Sequence, residues 1–351
     1  MNSDGAVESP VPRVSVVIPT CDRRALLERV LSGLLAQRLT DFETIVVDDC
    51  SADDTPDFLR EFAAANPAFR LTCLRNEAHA GANPSRNRGV GAARSGLIAF
   101  LDGDCVPEPD WLERLIAPFA DESVGAVVGR VDDPPPRNLF ELTFKGTHRV
   151  YGRDSANRLI AGNMCVRRVA LEAAGLDEDR ALPQPQRDGR PDTSVSGRGD
   201  EEGLYLRLRT AGWRIAAAFD AGVLHLHHFG ARTFFRQAWR GGRSAARLVY
   251  KYRLPQRLDL APFALAWLTL PLGAFGGWGW APSALFGAAA LAAIIYNDLC
   301  RKQKTAWETA ITLPLLLVYY HVRLAGYVFE TARLRLSRNR PTRLEKPINL
   351  V

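Results

Sequence analysis

Cysteine is scarce in this sequence and never placed where it would be structural. The six residues (Cys21, Cys50, Cys73, Cys105, Cys165 and Cys300) are scattered, with no CxxC spacing and no clustering with histidine. That excludes a disulfide frame and a cysteine zinc site, and reads as reduced, mostly buried thiols. Both usual phosphate cradles are missing as well. There is no Walker P-loop, and no GxGxxG follows the first predicted strand. The first half lacks aromatics interleaved for base stacking, so nucleic acid is not expected as a partner. The opening stretch, MNSDGAVESPVPR, has no basic flank leading into an apolar core. No signal peptide is expected there, and residues 1–12 read as a disordered leader. One long segment lacks charge altogether, from Leu260 to Asn297.

What is present is a chain of 351 residues, 47% hydrophobic and 24% charged, enough for a real core. Its net charge of +6 is unevenly spread: 48–57 and 102–122 are acidic, 229–257 and 333–346 basic. That polarity suggests an anionic surface partner, and with nucleic acid set aside it points to a membrane.

From residue 14 the pattern alternates between strand and helix. VSVVIPT (14–20), FETIVVDDC (42–50), FRLTCLRN (69–76) and LIAFLDGD (97–104) are short apolar runs. Between them, 22–37 repeats Leu and Val at helical spacing, 53–66 begins with Asp53 as a predicted N-cap, and 83–95 is a small-residue helix. Such alternation predicts an α/β domain with a parallel sheet.

Ligands of open α/β sheets bind outside the carboxyl ends of the strands. Those ends here are Thr20-Cys21-Asp22, Asp48-Asp49, Asn76-Glu77 and Asp102-Gly103-Asp104. A single acidic strand end is ordinary turn chemistry. A convergent set repels itself unless a cation sits among them. Mg²⁺ or Mn²⁺ bridging a diphosphate, held by Asp102 and Asp104, is the simplest account, with Gly103 letting the chain turn and the phosphate approach.

These residues resemble a known family. VSVVIPTCDR, FETIVVDDCSADDT and AGANPSRNRGVGAARSGLIAFLDGDCVPEPDWLERL, in that order, are similar to the family 2 glycosyltransferases. The resemblance covers roughly residues 14 to 230. It implies a GT-A fold (a Rossmann-like nucleotide-diphospho-sugar transferase domain at 13–230) and an inverting, metal-dependent transfer from a nucleotide-diphosphate sugar. It further implies that Asp48 and Asp49 meet the base and ribose, that Pro19 and Thr20 frame the same pocket, and that Arg86 reaches the nucleotide or diphosphate. Asp102 and Asp104 would bind the metal and the donor. Gly162 and Asn163, opening a predicted strand, would lie on the acceptor side with Glu202. An inverting transfer needs a carboxylate base. The sequence GRGDEEGLYLRL departs from the family's Glu-Asp order, with Gly203 where a further acid is usual. Glu201 is the first choice for the base and Asp200 the second. His225 is open between completing the metal shell, touching the diphosphate, and merely facing a membrane-proximal surface.

The C-terminal third reads as membrane-associated. Arg232, Arg236, Arg240, Arg243, Arg247 and Lys251 recur every three or four residues, predicting a basic amphipathic helix (231–258) on anionic lipid. The uncharged block predicts two spans broken near GGWGWAPS (276–283), within a helical region at 259–335. Counting basic flanks places the catalytic domain and the basic tail (336–351) in the cytoplasm, with 306–330 at the interface or re-entrant. The expected location is the cytoplasmic membrane, and the expected acceptor a polyprenyl phosphate or lipid-linked glycan. Two rivals are a noncatalytic nucleotide-sugar-binding membrane scaffold and a processive polysaccharide synthase. The second needs a Gln-x-x-Arg-Trp-like segment, and FRQAWRGGR carries Trp239 and Arg240 in the wrong order.

Overall fold

Val14–Thr20 forms the first strand, β1, because its β-branched residues are apolar on both faces and both faces are covered: Val14, Val16, Val17 and Ile18 are all fully buried. The computed structural model of the chain describes residues 10–148, 156, 158–174, 176, 200–226, 229–252 and 260–336. After β1 come α1 (Arg24–Leu35), β2 (Phe42–Asp48), α2 (Thr55–Ala65), β3 (Leu71–Arg75), α3 (Ala82–Ala92) and β4 (Leu97–Leu101). Next are β5 (Cys105–Pro107), α4 (Trp111–Ile116), β6 (Val124–Asp132), α5 (Leu139–Phe144), β7 (Asn163–Arg167), α6 (Arg168–Ala174), α7 (Asp200–Thr210) and β8 (Arg214–His225). Four helices end the described chain: α8 (Ala231–Tyr252), α9 (Ala261–Thr269), α10 (Ala281–Tyr296) and α11 (Ala306–Leu336).

The strands form one sheet in the order β3-β2-β1-β4-β7-β6-β8-β5. β1 to β4 pair in parallel, as expected. β7 runs against both β4 and β6, and β8 runs parallel to β6. Consequently the carboxyl ends of β1, β2, β4, β6 and β8 share one edge with the amino end of β7. Each face of the sheet is covered. Leu27, Val30, Leu31 and Leu34 of α1 pack with Trp111 on one side, whereas Leu204 and Leu208 of α7 pack with Val17, Ile45 and Phe100 on the other. On α3, a Cβ at Gly89 would stand 2.4 Å from Val17, so only glycine lets that helix lie on β1.

Two local expectations shift. The backbone N–H of Thr55 donates to Asp53 Oδ1 at 3.0 Å, but α2 starts two residues beyond the predicted cap because Asp54 is the residue flanking it. The thiols are not mostly buried. Only Cys105 and Cys165 are; Cys73 lies exposed on the edge strand β3, Cys300 is exposed beyond α10, and Cys21 and Cys50 are half-buried in loops.

The C-terminal helices depart further from expectation. α8 does not turn its whole basic stripe outward. Arg232 and Arg236 are exposed, but Arg243 is buried and donates at 2.7 Å to the buried Glu330 of α11, joined by Arg247 at 2.8 Å. Here α8 and α11 touch backbone to backbone: a Cβ at Gly242 would lie 1.9 Å from Arg323 O, and one at Gly326 2.5 Å from Trp239 O. Tyr319 of α11 packs on Phe144 and Phe234, tying the pair to the α/β domain. The uncharged block folds as a hairpin of α9 and α10 with its bend at Gly276 and Gly277, both at positive φ. By length and composition 277–301 and 306–336 suffice to cross a membrane, but the Ala261–Phe275 arm, expected as a full span, is shorter.

Candidate donor and cation site

The acidic strand ends converge because the sheet topology brings them to one edge. Behind β2, Asp48 accepts from the backbone N–H of Ser51 at 3.0 Å and pairs with Arg75 at 3.0 Å. Asp49 organises the next loop: it accepts from the N–H groups of Ala80 (2.8 Å) and Gly81 (2.6 Å) and from Asn76 (2.7 Å), with His79 Nδ1 2.7 Å away. Asp22, held at φ 50°, accepts from the N–H of Ala52 at 2.6 Å and so ties the loop after β1 to the loop after β2. Thr20 ends β1 with its Oγ1 buried and lacking a hydrogen-bond partner.

Beyond β4 the chain places Asp102, Gly103 and Asp104 beside that hydroxyl. Gly103 is not among the glycines at positive φ, so the turn itself does not require it. What requires a small residue is proximity, since a Cβ there would stand 3.2 Å from Thr20 Oγ1. Asp102 is one-third exposed and accepts from Arg86 Nη2 at 2.7 Å; Arg86 is itself buried and also donates to Asn83. Asp104 is buried and pairs with the half-exposed Arg23.

β8 brings His225 opposite Cys105 across the β5–β8 pair, with its Nε2 3.5 Å from Asp104 Oδ1. Burial alone would lower the pKa of His225, but Asp104, then Asp102 and Asp133, outweigh it and hold the imidazole above its ordinary value. Burial, aided by the two neighbouring carboxylates, pushes the Cys105 thiol well up. Its Sγ lies with Asp104 and His225 in one group of ligating atoms within 4.8 Å, but a soft sulfur is not a ligand that Mg²⁺ or Mn²⁺ prefers. The remaining set, hard carboxylate oxygens with one imidazole and the buried Thr20 hydroxyl at hand, fits Mg²⁺ or Mn²⁺.

Other predicted residues fall around this cluster. Gly162 stands next to it, a Cβ there lying 3.1 Å from both Asp102 Oδ2 and Cys105 Sγ. Asn163 is buried, accepting from Trp111 Nε1 at 2.8 Å and donating to the carbonyls of Arg130 and Ala221, so its side chain braces the sheet. Only residues 211–213 join α7 to β8, so the helix runs back across the sheet and its amino end lies toward the same edge as His225. Glu201 and Glu202 are half-buried there, and the side chain of Asp200 falls outside the described residues. Pro19 lies within β1, its carbonyl 3.4 Å from the Cβ position of Gly103.

Sequence reasoning missed Arg23, Arg75, His79, Asp133 and His148. Asp133 and His148 approach His225 from its far side, the three forming a second group of ligating atoms within 4.8 Å. No spacing signals them, because β6, the loop after α5 and β8 meet only in the folded sheet.

Residues 15–167 match glycosyl transferase family 2. The chain is 32% identical over 126 residues to the glycosyltransferase AglE of Haloferax volcanii, covering 35% of this chain and 41% of that protein. It is 42% identical over 107 residues to the succinoglycan biosynthesis protein ExoO of Rhizobium meliloti, covering 30% of this chain and 29% of the relative. Each match thus spans less than half the length of the relative. Among solved structures, a mannosyltransferase of Pyrobaculum calidifontis, in complex with GDP-Man and Mn²⁺, superposes with a TM-score of 0.55 at 20% identity, covering 93% of this chain and 88% of that one.

Proposed function

Because residues 15–167 belong to glycosyl transferase family 2 and the fold is GT-A, followed by C-terminal helices, we propose that this chain is an inverting, metal-dependent glycosyltransferase. In this reading it moves a sugar from a nucleotide-diphosphate donor to a membrane-associated acceptor, a lipid-linked glycan or polyprenyl phosphate, in cell-surface polysaccharide or glycolipid synthesis. The observation that carries it is the pair Asp102 and Asp104 at the carboxyl end of β4, with His225 3.5 Å from Asp104. The name of ExoO ties that relative to polysaccharide synthesis, and the Pyrobaculum enzyme is a mannosyltransferase with a nucleotide sugar and Mn²⁺.

The residues divide the work. Pro19, Thr20, Asp48 and Asp49 line the nucleoside end. Asp104, Asp102 and His225 would hold the cation, and Arg23, already at Asp104 and half exposed, swings to the diphosphate. Charge neutralisation on the departing diphosphate is what Mg²⁺ or Mn²⁺ supplies when bound. Arg86 fixes Asp102 by its 2.7 Å bond and keeps its place as a donor-binding residue at the nucleotide or diphosphate. Gly162 leaves room for the acceptor beside Asp102, above Asn163, with Glu202 at its flank. Glu201, or Asp200 in its stead, takes the proton of the acceptor hydroxyl, and the amino end of α7 favours its charged form.

The exposed large apolar residues of the hairpin, Trp267, Leu268, Phe275 and Trp278 among them, support a membrane location, and the basic flanks at 229–257 and 333–346 support a cytoplasmic membrane with the catalytic domain on the cytoplasmic side. The test is turnover: full-length protein in detergent, Mn²⁺ or Mg²⁺, and a panel of nucleotide-diphosphate sugars with a polyprenyl-phosphate acceptor. Release of nucleoside diphosphate with one donor is expected; none across the panel overturns the reading.

A further inference from the structure

We propose that His148 is a positioning residue for His225, and that the turn between α10 and α11 holds His148 in place. The C-terminal helices are then part of the donor site as well as its attachment. This rests on the reading of Asp102, Asp104 and His225 as the cation site.

A side chain at the end of a strand has one backbone anchor and a ring free to turn about its χ angles. An imidazole that ligates a metal needs an outer partner to fix that ring. His225 has Asp104 on one side, Nε2 to Oδ1 at 3.5 Å. On the other, the ring of His148 meets it edge to face, with centroids 5.2 Å apart and planes at 72°. His148 in turn has its Nδ1 3.4 Å from Asp133 Oδ1. Asp104, His225 and His148 thus adjoin one another, with Asp133 within reach of both imidazoles, and the His148 ring stands against one side of the His225 ring.

What fixes His148 lies outside the α/β domain. It follows α5 by four residues, and that short connector is gripped from the other side by residues 298–308. Lys304 Nζ donates to Thr143 O at 3.1 Å and is itself bonded to the buried Asp298 at 2.7 Å. Lys145 pairs with Glu308 at 2.5 Å. Between them Gly146, at φ +71°, lies so close that a Cβ would stand 2.5 Å from Lys302 O. Three contacts at positions 143, 145 and 146 leave the chain little freedom before it reaches His148. Contacts that served only to dock helices on the domain would not need to converge on the connector leading to the cation site.

The test is Mn²⁺ binding to the full-length protein, read by electron paramagnetic resonance with Mn²⁺ alone, so that no activity is needed. His148→Ala is expected to weaken Mn²⁺ by about 10-fold or more, the usual loss when an outer partner of a metal ligand is removed. His148→Phe, which keeps an aromatic ring against the edge of His225, recovers most of that loss. Gly146→Ala, on the connector two residues before His148, weakens binding in the same direction by displacing the connector from Lys302. Asp104→Ala separates the two readings. If it binds Mn²⁺ as well as the unaltered protein, the site assignment itself fails. If it abolishes binding while His148→Ala and Gly146→Ala bind normally, the positioning role is overturned. Should His148→Ala fail to fold, normal Mn²⁺ affinity in Gly146→Ala overturns it alone.

Discussion

Arg86 Nη2 donates to Asp102 Oδ1 at 2.7 Å, and the arginine that makes this bond is buried while the carboxylate is one-third exposed. The pair is therefore asymmetric: the fold holds the cation, and the cation holds the carboxylate at the mouth of the site. Asp104, by contrast, is buried between Arg23 and His225. Two acids one residue apart thus have different surroundings, and they will respond differently to the same change.

Asp104→Asn removes the carboxylate that faces both His225 and Arg23, and turnover is expected to fall by about 10²- to 10³-fold, the range typical of losing one electrostatic stabiliser of a transition state. Asp102→Asn leaves an amide that still accepts from Arg86, so its loss is smaller. Near-ultraviolet circular dichroism unchanged in both variants separates chemistry from folding. Equal turnover in Asp104→Asn and the unaltered protein would remove Asp104 from the site.

Much of this was legible before folding. Short apolar runs located β1, β2 and β4, because strands covered on both faces are apolar throughout, and Leu and Val at helical spacing located α1. Strand-end residues Thr20, Asp48, Asp49, Asp102 and Asp104 were legible because parallel strands deliver their ends to one edge. Asp133 and His148 were not, since their proximity to His225 depends on β6, β7 and β8 lying side by side. The inward turn of Arg243 was hidden for a related reason. A basic stripe looks alike whether it meets lipid headgroups or one buried carboxylate, and Glu330 lies 87 residues away in sequence.

Glu43 offers a test of acid stability remote from the site. It accepts from Ser15 Oγ at 2.6 Å and from the backbone N–H and Nε of Arg94 at 2.7 and 2.9 Å, joining β1, β2 and the end of α3. Burial alone would raise its pKa, but the bonds from Ser15 and Arg94 outweigh that and hold it below its ordinary 4.5. Its contribution is therefore complete above pH 4.5 and is lost as pH falls through the depressed value. Glu43→Gln is expected to cost about 1–2 kcal/mol near neutral pH, with the gap to the unaltered protein closing in acid. A gap constant from pH 7 to 3 refutes the assignment.

The α8–α11 seam should be sensitive to a single charge. Glu330 is fully buried and receives both Arg243 and Arg247. Glu330→Ala leaves those arginines facing each other without a counter-ion, a loss of about 3–5 kcal/mol by the usual cost of breaking a buried pair. Glu330→Gln keeps two acceptor sites on its carbonyl oxygen but not the charge, and should fall between. Thermal melts of detergent-solubilised protein order the three. A melting temperature unchanged in Glu330→Ala would mean the seam is held by packing at Gly242 and Gly326 alone.

The hairpin of α9 and α10 carries the last prediction, because its two arms and α11 differ in a way that length alone conceals. α11 is long enough to span, yet Glu308 at its start pairs with Lys145, Tyr319 in its middle packs on Phe144, and Glu330 near its end is claimed by α8. A helix fastened at three levels to the domain and to α8 is expected to stay on the domain's side. The hairpin is held at its base, where Leu260 packs with Ala245 and Asp298 is bound by Lys302 and Lys304, and beyond it by α11, where Phe263, Ala290 and Ile294 pack with Leu316 and Trp267 meets His321. Its bend carries Phe275 and Trp278, 86% and 90% exposed, with Trp280 half exposed. At ~1.5 Å per residue α10 is about 24 Å long, close to the ~30 Å of a hydrocarbon core. Backbone polar groups in an open bend are not tolerated in hydrocarbon, so a hairpin that enters the bilayer is expected to carry its bend to a headgroup layer, where tryptophan is favoured. In vesicles whose lipids are brominated deep in the acyl chains, Trp267 fluorescence should be quenched, whereas lipids brominated near the headgroups should quench Trp278, and Trp278→Phe should remove that component. Trp307, at the start of α11, should escape deep quenching; strong quenching there would mean that α11 enters the bilayer.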